Sequence, residues 1–415
     1  MNLHQKIDHL EAQFAAREDE VQAYLPEENR FARLRQEVDA LESAYPDPEA
    51  RPPLYGLIVG VKDIFHVDGF LTRAGTALPA DLFQGEQAAL VTLVKESGAP
   101  IAGKTHTTEF AYFAPAPTRN PHNLAHTPGG SSSGSAAAVA AGLCDLAFGT
   151  QTIGSITRPA AFCGVVGFKP SFGRMSREGV IPLSSTVDQM GFFTSDVQTA
   201  QQAAEVLVDD WVPVDKPKAG EYPRLGVPLG RYLERTSAEG MRHFRTVTQT
   251  LHHIGYEIVR VPAMTDFAGI EAAHKLIVAY DALQVHREWY YQHHAKYHPK
   301  TRELIEQGSK YSAHQADVAR QSILKIREHL TRIMDEHEID IWISPPAVGS
   351  APLGLEHTGD PIMNLPWTHA GFPTLCLPAG TNDAGLPLGL QLAGRFHTDE
   401  QLLVWGDALS PHLSP

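Results

Sequence analysis

Residues 54–61, LYGLIVGV, form an unbroken apolar run between Pro53 and Lys62, and such a run suits a strand covered on both faces. Helices must then pack on each side of the sheet that holds it. Leu3, Ile7, Leu10 and Phe14 recur at helical spacing, and Phe31, Leu34, Val38 and Leu41 do so again beyond Pro26. Helices are predicted over 86–97 and 135–141, with a short strand over 99–102 between them. Residues 211–222 turn to Pro, Lys, Gly and Asp, the composition of a surface connection between two lobes. Beyond it the pattern predicts strands over 225–228, 256–261, 339–343, 374–378 and 388–393. Helices are predicted over 238–253 and 399–409, and one long helical region over 267–337. The chain is therefore read as α/β, with a mixed, twisted central β-sheet flanked by many α-helices. It is expected to form one domain over 1–415: a helical packing segment over 1–50, a core half over 54–210, and a second lobe with closing strands over 223–415.

Composition narrows the function classes. With 415 residues and 43% apolar side chains, a large core can be buried. The 48 acidic residues exceed the 34 basic ones for a net charge of −14, and no Lys/Arg-rich run could neutralise a line of phosphates. Nucleic acid is excluded as a partner. Cys144, Cys163 and Cys376 are too few and scattered for a disulfide framework or a zinc site, and read as small core residues in a reducing compartment. The start has no signal-type apolar run, and the most apolar window, 136–148, is too short to span a bilayer. The expectation is a cytoplasmic protein without membrane contact.

Residues 129–135 read GGSSSGS, and a second small-residue loop, 149–155, ends in Ser155. Gly/Ser runs are commonly linkers. This one leads directly into an Ala-rich apolar stretch and lies far from the connection at 211–222, so it reads as a catalytic loop. Glycines let backbone N–H groups approach a reacting atom, and serine is a compact nucleophile. A rival motif, GAPIAGKT at 98–105, matches the phosphate-binding G-x-x-x-x-G-K-[ST] letter for letter. Its context is wrong, because a helix ends at Gly98 and the supposed loop contains a strand-like segment. The adjacent pairs His252-His253 and His293-His294 do not suit a metal either, since neighbouring helical residues point about 100° apart. No metal or cofactor is expected.

The block over 129–171, GGSSSGSAAAVAAGLCDLAFGTQTIGSITRPAAFCGVVGFKPS, closely resembles the signature of the amidase signature family of Ser-Ser-Lys hydrolases. Gly60-Val61-Lys62-Asp63, Gly103-Lys104-Thr105, Glu109-Phe110-Ala111 and Asn120-Pro121-His122-Asn123 are similar to its earlier segments. Gly371-Phe372-Pro373, Pro378-Ala379-Gly380 and residues 385–391 look like its closing strands. The resemblance implies the amidase signature fold and assigns roles: Ser155 nucleophile, Ser131 bridging serine, Lys62 base. Lys62 ends a buried strand, and lost solvation would disfavour its charged form. Backbone N–H groups of Thr152, Ile153, Gly154 and Ser155 would form the oxyanion hole, with Gly129 and Gly130 at the substrate. Ser132 and Ser133 are assigned to capping the following helix, and Gln151 and Asp188 to supporting the loop.

Departures from the family pattern refine the reading. Gln151, Ile153 and Thr157 stand where most members carry an acid, a glycine and an arginine. A β-branched Ile153 requires an ordinary backbone conformation there. Arg158 and the TQT…GS…RPAA spacing look most like the malonamidase-type branch, where an arginine holds a substrate carboxylate. Arg158 is read either as such a clamp or as half of an internal salt bridge. The expected activity is hydrolysis of the C–N bond of a small carboxamide, with a carboxylate-bearing amide such as malonamate as one candidate. The alternative is a glutaminase-like amidotransferase component supplying ammonia to partner proteins. A homodimer is left open.

Overall fold

The fold rests on a computed structural model that describes residues 2–218 and 220–413. Ten strands form one mixed sheet: β1 Val59–Lys62, β2 Ile101–Thr105, β3 Leu146–Gln151, β4 Val166–Lys169, β5 Gln189–Thr194, β6 Leu225–Leu229, β7 Ile258–Pro262, β8 Ile341–Ser344, β9 Thr374–Thr381 and β10 Pro387–Ala393. Their order is β2-β1-β3-β5-β4-β9-β10-β8-β6-β7. The C-terminal strands β9 and β10 thus join the two halves of the chain within a single sheet. β1 runs parallel to β2 and β3, the centre from β3 to β8 is antiparallel, and β6 is parallel to β7 and β8. Strands β1 to β5 are buried throughout, as continuous cover on both faces requires.

Several boundaries differ from the sequence pattern, each for a local reason. The run over 54–61 enters the ladder only at Val59, because residues 54–57 turn, with Gly56 at φ +76 and the Leu57 N–H donating to the Leu54 carbonyl. Pro100 cannot donate to a ladder, so β2 starts at Ile101 rather than 99. The long helical region breaks into Phe267–His293, Pro299–Gly308 and Ala313–Glu336, the last opened by a capping box in which Ser312 and Gln315 satisfy each other's backbone N–H. Strands β3, β4 and β5 and the helix Thr157–Cys163 escaped the pattern because alternation and helical periodicity are both absent where every face is buried. The small-residue loop begins at Thr152, since 149–151 belong to β3.

Two features of this sheet position the site. β1 and β3 are parallel neighbours, with Val61 opposite Phe148, so Lys62 and the Thr150-Gln151 end of β3 emerge along the same edge. The helix Ser133–Ala140 lies directly behind them with almost every residue buried. Its serines, alanines and single glycine keep it thin enough to sit against the sheet and the N-terminal segment. A Cβ on Gly134 would run into the backbone of Ala23 and His106. Gly134→Ala is therefore expected to lower stability by about 1–3 kcal/mol through overpacking, measured as a shift of the denaturant midpoint at unchanged slope.

Candidate active site

Lys62 is fully buried at the end of β1. Its Nζ lies 2.8 Å from Ser131 Oγ, 3.0 Å from Ser132 Oγ and 2.7 Å from Thr150 Oγ1. Burial pushes the ammonium well below the ordinary lysine range, and only the charge of nearby Asp188 works against it. The Ser132 hydroxyl is within reach of the Thr150 carbonyl, so its oxygen receives an N–H from Lys62. Ser131 Oγ has no other protein partner among the described residues, which leaves its hydrogen free to meet the lone pair of an uncharged amine. The capping role expected of Ser132 and Ser133 is not what the structure contains. Ser132 occupies the N-cap position without a side-chain cap bond, because its hydroxyl serves Lys62 and Thr150, and Ser133 Oγ donates back to the Gly129 carbonyl at 2.7 Å. Thr150 carried no sequence signal, since its role depends on the register of two strands far apart in the chain.

The loop after β3 is built around the Gln151 side chain. Its Oε1 accepts from the N–H groups of Ile156 at 2.8 Å and Thr157 at 2.9 Å and from Thr157 Oγ1, while Nε2 donates to Thr368 Oγ1 at 2.9 Å. The loop carbonyls are also tied: Thr152 O to His274, Ile153 O to Thr368, Gly154 O to the Arg158 N–H. Among the described residues, the N–H groups of Thr152, Ile153, Gly154 and Ser155 donate to no protein acceptor. Neither Ile153 nor Gly154 has positive φ, as the β-branched residue requires. Asp188 accepts from Thr152 Oγ1 at 2.6 Å and from the Leu183 and Ser184 N–H groups. Gln151→Leu would strand two buried N–H groups at the turn, and an expected loss of about 1–3 kcal/mol per unsatisfied group is checked by equilibrium unfolding in urea.

Ser131, Thr152, Ile153, Ser155 and Arg158 line one small cavity of about 20 Å³, closed by Ala111, Tyr112, Phe113, Leu183, Val278 and Pro361. Tyr112, Phe113, Ile153, Val278 and Pro361 also line a larger outer cavity of about 430 Å³, so they form the wall between the two. The Ser131 and Ser155 hydroxyls make no hydrogen bond with each other, a contact that catalytic groups commonly complete only around substrate. Arg158 is buried, with Nη1 donating to the Gly359 carbonyl at 2.6 Å and Nη2 to the Gly130 carbonyl at 2.6 Å and Thr358 Oγ1 at 3.3 Å. Its Nε has no partner, and no carboxylate lies within ion-pair distance among the described residues. The internal salt bridge considered for Arg158 is absent. Burial lowers its pKa to about 9, opposed by the charge of Asp360, so the guanidinium stays charged at neutral pH. Gly129 and Gly130 do not line the cavity; their carbonyls hold Ser133 and Arg158 instead.

The phosphate-loop lysine is accounted for. Lys104 sits inside β2, ion-paired to Asp63 at 3.0 Å and donating to the Phe65 carbonyl at 2.7 Å, with no helix following. Comparison with known proteins supplies the family. The family model described as Amidase matches residues 15–403. The chain belongs to the amidase family. The A component of the glutamyl-tRNA(Gln) amidotransferase of Roseiflexus castenholzii is 32% identical, covering 97% of this chain and 90% of that protein. A crystal structure of an amidase superposes with a TM-score of 0.86 at 30% identity, covering 100% of both chains. The peptide amidase of Stenotrophomonas maltophilia, 23% identical with a TM-score of 0.83 over 100% of this chain and 94% of that one, shares the fold. As a member of this family the chain is a hydrolase of amide C–N bonds. Among the described residues, no helix is long and apolar enough to cross a membrane.

Proposed function

We propose that this amidase hydrolyses a small carboxamide bearing a carboxylate, malonamate being the simplest, through an acyl-enzyme on Ser155. The observation that carries the reading is the buried Arg158 guanidinium, which shares the small cavity with Ser131 and Ser155, leaves its Nε without a partner and has no carboxylate within ion-pair distance among the described residues. A buried charge without a partner is costly, and a substrate carboxylate would supply one in bidentate geometry. No acidic side chain lines that cavity, so an α-ammonium group such as that of glutamine would find no partner there.

The proposed steps follow from the protons available. Uncharged Lys62 takes the hydrogen of Ser131, Ser131 takes that of Ser155, and Ser155 Oγ bonds to the amide carbon. The carbonyl oxygen becomes an oxyanion facing the N–H groups of the loop over 152–155, each such donor supplying roughly 3–4 kcal/mol. The proton returns by the same path to the nitrogen as the C–N bond breaks, and ammonia leaves. Water repeats the sequence on the ester and frees the acid. Ser155→Ala and Lys62→Ala are expected to abolish ammonia release, and Ser131→Ala to reduce it severely.

Two measurements test the reading. Arg158→Met is expected to lower kcat/KM for malonamate about a hundredfold, the worth of a charge-assisted bidentate pair, and to change malonamide only slightly. Equal losses on both would refute the clamp. The pH profile tests the base. The amine form of Lys62 grows as pH rises, so kcat/KM rises with pH to a plateau; burial has lowered its pKa, so the plateau begins well below the ordinary value of about 10.4. A plateau reached only near that value would exclude Lys62.

A second reading is favoured by the relatives, which include amidotransferase components at 32% identity. In it the chain would release ammonia from glutamine for a partner protein. Gel filtration with an ammonia assay on the purified chain separates the two: turnover of malonamate by the chain alone supports the first, glutamine turnover that requires a partner supports the second.

A further inference from the structure

Behind the loop over 152–155 two buried imidazoles stand in a line that the proton relay leaves unused. His274, on the helix Phe267–His293, places Nε2 3.0 Å from the Thr152 carbonyl and Nδ1 3.0 Å from His369 Nδ1. His369, on the helix Leu365–Ala370, places Nε2 2.7 Å from Ser322 Oγ. Both rings are essentially inaccessible to solvent, and among the described residues neither touches a carboxylate. Thr368, the neighbour of His369, holds the next carbonyl, that of Ile153, at 2.7 Å. One short helix therefore anchors two successive peptide units of the loop, one directly and one through His274.

Proton bookkeeping orients the chain. A carbonyl oxygen only accepts, so His274 Nε2 carries hydrogen. Burial disfavours the charged ring, lowering His274 to about 4 and His369 to about 3. A neutral His274 leaves Nδ1 bare, which requires hydrogen on His369 Nδ1 and a bare His369 Nε2; in this arrangement the single Ser322 hydrogen goes to that ring nitrogen at 2.7 Å in preference to the Ala319 carbonyl at 2.6 Å. The three donors then point one way, from Ser322 through His369 and His274 to the Thr152 carbonyl, and hydrogen bonds in series polarise one another. The same peptide unit carries the N–H of Ile153, a residue that lines the cavity, and that N–H donates to no protein acceptor among the described residues. Pulling electron density toward its oxygen makes that N–H a stronger donor.

We propose that His274 is a positioning residue for amide hydrolysis, oriented by His369 and Ser322, which fixes and polarises the Thr152–Ile153 peptide as an oxyanion donor. The inference rests on the loop over 152–155 being the oxyanion hole. Nitrogen-15 NMR of the imidazoles in the intact wild-type chain at pH 7 is expected to find His274 as the Nε2–H tautomer and His369 as the Nδ1–H tautomer. His274→Phe is expected to lower kcat about ten- to a hundredfold, less than loss of a direct donor, at nearly unchanged KM. His274→Gln, which keeps an N–H at the same reach, is expected to restore kcat to within about threefold of wild type. Reversed tautomers, an imidazolium at either position, or equal kcat for the two variants would overturn the proposal. If His274→Phe does not fold, the wild-type tautomers still decide the orientation and His274→Gln against wild type still decides the kinetics. Persisting turnover in Ser155→Ala would instead sink the active-site reading, a result the tautomer measurement does not share.

Discussion

A lysine side chain stripped of water and handed to three hydroxyls is the interaction around which the catalytic half is arranged. Lys62 reaches Ser131, Ser132 and Thr150 because β1 and β3 are parallel neighbours in register, and because the thin helix Ser133–Ala140 starts beside that edge. Move either strand by one residue and the amine faces the other side of the sheet. The same burial that makes the ammonium costly favours the uncharged amine that the proposed mechanism uses as its base.

The surrounding polar groups show how such a centre is kept rigid. Gln151, Asp188, Thr368 and His274 each bind the loop after β3 from behind, occupying its carbonyls, side chains or later N–H groups. What remains unoccupied is the row of N–H groups at 152–155. Donors fixed in place before reaction need no reorganisation when charge develops, and this is where their advantage over water lies. The neutral amide of Gln151 accepts two loop N–H groups while donating once.

Much of this was legible in the sequence, and the reason is physical. Lys62 at the end of an apolar run, the serines in glycine loops and the α/β alternation are local properties, so they survive without coordinates. Legible too was Ile153, whose branched side chain dictated its backbone region. What escaped depended on distance along the chain or on uniform burial. Thr150 acts through strand register, and His274 and His369 through packing of helices more than a hundred residues from the loop. Ser132 and Ser133 were assigned to the commonest job of serine at a helix start, but the Lys62 amine engages the Ser132 hydroxyl and the Gly129 carbonyl takes that of Ser133. Strands β3 to β5 lacked alternation because neither of their faces meets solvent.

The wall of Tyr112, Phe113, Ile153, Val278 and Pro361 limits what the inner chamber can hold. An inner chamber of about 20 Å³ accommodates little more than one water molecule. An acyl group, departing ammonia and incoming water cannot share it. Substrate entry in the proposed mechanism requires that wall to move. In the proposed mechanism this wall is the gate that substrate passes. The residues beside the gate, Phe110 and Ala111, already sit in left-handed backbone conformations.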